Sequence, residues 1–274
     1  MSKPFEMKVS GLILTFTLVA LLGISAIAIQ HDEIRNTGSD NEYTVVTVQG
    51  RILFEQSGKD MQRGDMYITG TPLEFMTPES RAAIVNEING RFVLSNNKGA
   101  LKVLPAANNV SSRRGGLVNF VDLKNHFSGR YLVLGVSKLE LSETSFPMND
   151  ETFFYLTYQH EGEEIAKKLS YEGNKLIFDR DEIYKIDGNP IPVAEKEMTI
   201  YYKEKDSVRK INTFTMVFTD DAVVKEEVAV ILKSFESAET WTKLAEVDSY
   251  LTDFYGKASR DNLTDWLATE FNVK

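Results

Sequence analysis

From Thr44 to Leu104 the chain reads TVVTVQGRILFEQSGKDMQRGDMYITGTPLEFMTPESRAAIVNEINGRFVLSNNKGALKVL. This stretch decides the fold class. Val46 and Val48, then Ile52 and Phe54, alternate with polar neighbours, which is the pattern of half-buried strands. Gly50 breaks the run and predicts a bend. Ser57-Gly58-Lys59-Asp60 and Arg63-Gly64-Asp65 are turns, and Met66 to Thr69 returns as a strand. Phe75 to Thr77 is closed by Pro78. Ala82 to Val85 is a short buried strand. Asn89-Gly90 is a strong short-range hairpin signal, and Arg91 to Leu94 runs back from it. Asn96-Asn97-Lys98-Gly99 turns the chain into Leu101 to Leu104.

Three motifs in this stretch point to a family. They are Val48-x-Gly50-Arg51-Ile52-x-Phe54, the Gly64-Asp65 turn, and Ser80-x-Ala82-Ala83-Ile84-Val85 followed by Gly90-Arg91-Phe92-Val93-Leu94. In this order the stretch, residues 43–104, resembles the FecR-like periplasmic β-domain, a small β-roll of envelope proteins. The resemblance implies that Gly64-Asp65 is the family's Gly-Asp turn and that Ala83 to Leu94 is its hairpin. Sigma-regulating members carry a cytoplasmic segment ahead of their membrane segment. About ten residues precede Gly11 here, so the resemblance implies the fold and not that regulatory role. Arg63-Gly64-Asp65 also spells an integrin-recognition tripeptide, which a strand-to-strand turn explains without a receptor.

The N-terminus predicts export. Lys3 and Lys8 precede an uncharged run of 19 residues, Gly11 to Ile29, that contains Ala26-Ile27-Ala28. The A-x-A pattern fits a cleaved signal peptide, while the length approaches that of a membrane-spanning helix. Both readings of residues 1–30, signal peptide or N-terminal membrane anchor, put the rest of the chain in the periplasm or on the outer side of the inner membrane. Residues 31–42 are polar and read as a linker. The chain has 31 Lys and Arg against 40 Asp and Glu, a net charge of -9, which argues against nucleic acid as a partner. It has no cysteine, so disulfides, thiol nucleophiles and thiolate metal sites are excluded together.

Residues 43–128 form the first predicted unit. It ends in a loop and a short helix, Leu117 to Phe127. Within the loop, Arg113-Arg114-Gly115-Gly116 is the most basic short patch, a candidate contact for an acidic partner or a phosphate. Residues 129–220 alternate short apolar runs with turn signals and predict a β-sandwich. These runs include Tyr131 to Val136, Phe153 to Tyr158, Ile165 to Leu169, Leu176 to Phe178, Ile183 to Ile186, Met198 to Tyr202 and Ile211 to Phe218. Phe154 and Tyr158 share one face of their strand, opposite Phe153 and Tyr155. If that face were open it would be a stacking platform for a glycan, and if closed it would be core. Asp179 to Glu182 and Asp187-Gly188-Asn189 have the composition of a calcium loop but not its spacing.

Residues 221–274 change period. Val224, Val228, Ile231, Leu232 and Phe235 share one helical face. Ser237 is positioned to cap a second helix bearing Trp241, Leu244, Val247, Leu251 and Phe254, which Gly256 ends. Ser259 opens a third, with Leu263, Trp266, Leu267 and Phe271. The predicted fold is therefore mainly β with an α-helical tail: a small FecR-like β-roll, a β-sandwich, then about three helices.

Reactive constellations are missing. There is no G-x-S-x-G, P-loop or H-E-x-x-H motif, and His31, His126 and His160 are far apart. The sequence implies no enzyme, no cofactor and no metal. The expected role is a non-enzymatic bacterial envelope protein acting through an unidentified protein partner. An envelope glycan- or polymer-binding module is the alternative, and a secreted hydrolase the lower one.

Overall fold

In the computed structural model, which describes residues 40–96, residues 117–273 and the backbone of 102–103, the opening stretch forms eight strands. They are β1 (Glu42–Gln49), β2 (Ile52–Phe54), β3 (Lys59–Asp60), β4 (Met66–Ile68), β5 (Leu73–Phe75), β6 (Arg81–Asn86), β7 (Gly90–Ser95) and β8 (Lys102–Val103). One sheet has the order β4-β1-β6-β7-β8, and a smaller one the order β3-β2-β5. Gly50 makes the bend between β1 and β2 at φ +77, and a Cβ there would lie 2.6 Å from Ser80 Oγ. The position therefore needs glycine both for its backbone and for its clearance. Asn89-Gly90 lies at the β6–β7 connection, where Asn86 Oδ1 accepts from the Ile88 and Asn89 amides at 2.7 and 3.0 Å.

The Arg63-Gly64-Asp65 segment is a turn held on both sides. Asp65 accepts from the Gln62 amide at 2.9 Å and from Lys59 Nζ at 2.8 Å. Arg63 pairs with Glu226 at 2.9 Å. Burial acts to raise the Asp65 carboxyl, but the bonds from Lys59 and Gln62 outweigh it and hold its pKa below the ordinary range.

Next come α1 (Phe120–His126), β9 (Arg130–Val133), β10 (Ser137–Glu140), β11 (Thr152–His160), β12 (Glu163–Lys168), β13 (Tyr171–Glu172) and β14 (Lys175–Phe178). They are followed by α2 (Arg180–Ile183), β15 (Lys185–Ile186), β16 (Asn189–Pro190), β17 (Lys196–Glu204) and β18 (Ser207–Phe218). A six-stranded sheet has the order β12-β11-β17-β18-β9-β19, where β19 is Lys257–Ala258. It is antiparallel except for β18–β9 and β9–β19. A three-stranded sheet, β10-β14-β13, and helix α1 cover one of its faces. Between these layers lies an aromatic-rich core that includes Phe127, Phe146, Phe154, Phe178, Tyr202 and Phe214.

The tail is α3 (Asp221–Ser234), α4 (Thr240–Phe254), β19 and α5 (Arg260–Phe271). Its apolar stripes do not wait for a partner. Val224, Val228, Ile231, Val247, Leu251, Leu263 and Trp266 share one buried cluster with Val46, Ala83 and Val85 of the first sheet and with Leu132, Leu134 and Val217 of the second. The helices thus fill the space between the two β regions, and Asp40–Lys274 form one compact unit. Strand β9 is covered on both sides: Tyr131 and Val133 enter the aromatic core, while Leu132 and Leu134 enter the helical one. That double burial explains the unbroken apolar run. The fold is mainly β with a helical tail, as the sequence predicts.

Several expectations are corrected. The strand expected at Ile183 to Ile186 is divided between helix α2 and β15. Asp179 caps α2 by accepting from the Asp181 amide at 2.9 Å, so its carboxylate serves the helix end, not a cation. Asp187 and Gly188, at φ +49 and +83, make the tight β15–β16 hairpin, as their turn composition predicts. Ser237 does not cap α4: the N-cap is Glu239, and the Ser237 hydroxyl bonds to Glu87 instead. Trp241 leaves the apolar stripe and is 70% exposed. The expectation of a membrane-spanning helix is also corrected. No helix among the described residues is long and apolar enough to cross a membrane. Gly11 to Ile29, on which that expectation rested, lie outside the described residues.

Candidate functional site

The sequence singles out two groups of contact residues. Arg113, Arg114, Gly115 and Gly116 lie outside the described residues. Phe154 and Tyr158, the candidate glycan-stacking pair, are corrected to core residues, at 0% and 2% exposure. The Tyr158 hydroxyl donates to the Ile183 carbonyl at 2.7 Å, and Phe154 packs 4.6 Å from Tyr202, centroid to centroid. The physical reason is that β10, β14 and α1 cover this face of the sheet.

The opposite face is the one left partly open. In an antiparallel pair, directly opposed residues share a face, so the register defines its rows. Lys168, Tyr155, Tyr201 and Lys210 lie side by side across β12, β11, β17 and β18. The next row on one side is Ala166, Thr157, Thr199 and Thr213, and beyond it come the pairs Glu164–Gln159 and Glu197–Thr215. On the other side lie Phe153, Lys203 and Val208. Phe153, Tyr155 and Tyr201 are half-buried, and Lys168 and Lys210 are exposed.

The rings of this face touch one another and the lysines. Tyr155 and Tyr201 stack with centroids 5.0 Å apart and planes 10° apart. Lys168 Nζ and Lys203 Nζ lie 4.4 and 5.5 Å from the Phe153 ring centre. Thr199 and Thr213 hydroxyls are 2.9 Å apart. Burial, then the neighbouring Tyr201 and Glu164, push the Tyr155 phenol above its ordinary pKa, so it remains a neutral hydrogen-bond donor. Lys210 has no carboxylate partner among the described residues, and Lys168 reaches Asp150 only at 3.9 Å. Stacked rings with cations beside them offer hydroxyls, edges and charge more than bare ring faces. Such a surface suits a polypeptide better than a flat sugar.

Other parts of the molecule offer less. His126 Nε2 lies 3.0 Å from the Tyr131 hydroxyl, and burial, with Lys257 nearby, lowers its pKa to about 4. It is therefore a neutral imidazole at the rim of the aromatic core. His160 stands opposite Glu163 at the end of β11, and His31 lies outside the described residues. Among the described residues no group of three or more His, Cys, Asp or Glu is placed to hold a metal. Two shallow clefts, about 180 and 200 Å³, flank Phe218 and Thr219. Both are smaller than the roughly 300–1,000 Å³ of ordinary small-molecule sites.

Two buried polar groups join the first sheet to the helices. Glu227 accepts from Thr47 Oγ1 at 2.6 Å and from the Tyr255 hydroxyl at 2.5 Å. Arg91 Nη2 donates to Ser249 Oγ at 2.5 Å and to Asp253 at 2.8 Å. Buried charges held in this way fix the orientation of the helices on the sheet. Sequence reading misses them because their partners lie about 160 to 180 positions apart.

Compared with known proteins, the chain matches no family model, no curated protein and no solved structure.

Proposed function

We propose that this protein acts by binding another protein through the outer face of β11, β12, β17 and β18, in a structural or accessory role and not by catalysis. One observation carries the reading. The sheet leaves Phe153, Tyr155 and Tyr201 together on a partly open face bordered by lysines, while the equivalent residues of its other face are sealed in the core. Aromatic side chains with a polar end are the residue type enriched at protein interfaces. Export of the chain belongs to the same proposal. Its support is the uncharged run from Gly11 to Ile29, read from the sequence alone. The polymer-binding alternative loses its main support, because the two residues assigned to stacking are core.

The test is site-specific photo-cross-linking in cells of the native source. A photoreactive residue replaces Tyr201 in one strain and exposed Val193 in another. A discrete protein adduct at Tyr201 and none at Val193 is the expected result. Equal labelling at both positions, or none at Tyr201, would overturn the reading.

A further inference from the structure

Resting on the reading that this face binds protein, we propose that its occupant is a second copy of the same chain, packed face to face about a two-fold axis along the threonine row. The argument begins with polarity. On one side of Ala166, Thr157, Thr199 and Thr213 lies the row containing Lys168 and Lys210, and on the other lie the pairs containing Glu164 and Glu197. Lys168 and Glu164 are each two residues from Ala166, and Tyr201 and Glu197 are each two residues from Thr199. A two-fold rotation about the row therefore brings Lys168 of one copy over Glu164 of the other. It brings the Tyr201 hydroxyl over the second copy's Glu197, with Lys210 one strand away.

This arrangement satisfies both ends of the face at once, and every contact occurs twice, as in an isologous interface. A two-fold axis along the strands would instead set Lys168 over Lys210 and would bring no glutamate over a lysine. A uniformly acidic partner would satisfy the lysines but oppose Glu164 and Glu197. Facing sheets lie about 10 Å apart, a gap that a lysine and a glutamate side chain close together. The net charge of -9 opposes self-association at long range. Opposed signs within about 8 Å, the Debye length in physiological salt, act against that repulsion. Four strands about 4.8 Å apart and about seven residues long give a plane of roughly 450 Å². That is near half of the roughly 800 Å² per partner in a standard interface, so the dimer is weak and concentration-dependent.

The test uses the full chain. Sedimentation across about 5 to 500 µM, the range over which a small interface assembles, should show the parent passing from monomer to dimer. Lys168→Glu with Lys210→Glu makes the face acidic, and Glu164→Lys with Glu197→Lys makes it basic. Each double variant alone should associate at least about 30-fold more weakly, because like charges then face each other. An equimolar mixture of the two should form a heterodimer at least as tight as the parent dimer. Because the natural chain has no cysteine, Thr199→Cys supplies an independent measurement that needs no charge change. Facing thiols across a gap of about 10 Å are beyond the reach of a direct disulfide but within that of a short bis-maleimide, which should link Thr199→Cys to itself well ahead of Val193→Cys. A mixture that stays monomeric, or equal cross-linking of the two cysteine variants, would overturn the proposal. If the parent is monomeric while Tyr201 cross-links to a different protein in cells, self-association falls and the binding reading stands. If Tyr201 gives no adduct either, both fall.

Discussion

The two faces of the six-stranded sheet are built from the same strands and from similar residues. The inner face carries Phe154, Leu156, Tyr158, Met198, Ile200 and Tyr202, all buried. The outer face carries Phe153, Tyr155, Thr157, Thr199, Tyr201 and Lys203, all partly exposed. Aromatic content does not separate them. What separates them is the supply of covering elements: β10, β14 and α1 close one side, and no described element closes the other in the same way. Alternation in a strand shows that two faces exist, and the rest of the chain decides which becomes the core.

Substitution on β11 tests this contrast most directly. Phe154→Ala should cost about 3–5 kcal/mol, the range for truncating a buried phenylalanine. Its neighbour Tyr155→Ala should cost below about 1 kcal/mol, as for an exposed cross-strand pair. Chemical denaturation of both variants measures the difference, and equal losses would dissolve the distinction between the faces.

A smaller effect is expected from pH. The folded pKa of His126 lies below its ordinary value of 6.5, at about 4, so the unfolded chain takes up the proton first. Its contribution is complete above about pH 6.5, falls as pH drops towards 4 and levels off below that. At about 1.4 kcal/mol per unit, reduced for partial exposure, the loss is about 2 kcal/mol. Denaturation midpoints between pH 7 and 4 should show it, and His126→Gln should flatten that part of the profile.

The attachment of α1 to the inner face can be probed at Asn212, at the irregularity in β18. Its Nδ2 donates to the Lys124 and Phe127 carbonyls at 3.0 and 2.7 Å. Asn212→Ala should cost about 1–2 kcal/mol and speed amide exchange within α1 before it does so elsewhere. The smallest effect belongs to the outer face. Thr199→Val removes a hydroxyl pair that solvent can replace and should change stability by less than about 0.5 kcal/mol. A large loss there would mean that the face is load-carrying within the monomer.

The first sheet was largely legible in the sequence because its punctuation is local. Gly50, Gly64-Asp65, Pro78 and Asn89-Gly90 stand where the chain bends, and the strands fall between them. Ser259 as the cap of α5 was legible for the same reason. What escaped depended on distant residues. Ser237 has a good capping composition, but Glu87 offers its hydroxyl a partner across the helix–hairpin contact. Trp241 fits the periodic stripe of α4, yet it sits in the first turn of the helix and stays exposed, while Val247, Leu251 and Phe254 are buried. The outer face was half legible: the sequence separated Phe153 and Tyr155 from Phe154 and Tyr158. It did not bring in Tyr201, Lys168, Lys203 or Lys210, because that requires the pairing of β11 with β17 and β12. The clue available was the matching Ile-Tyr-Tyr-Lys alternation at 200–203.

One feature of the sheet bears on how the protein behaves when crowded. Its open edge is β12, whose sequence Glu-Glu-Ile-Ala-Lys-Lys puts charge at four of six positions. Its other edge is β19, two residues long and in contact with α4. Two β12 edges meeting antiparallel would set Glu163 and Glu164 against Lys168 and Lys167, but each molecule would then end at β19, which offers no usable length. Pairing along the edge of this sheet therefore stops at two molecules and does not seed a fibril.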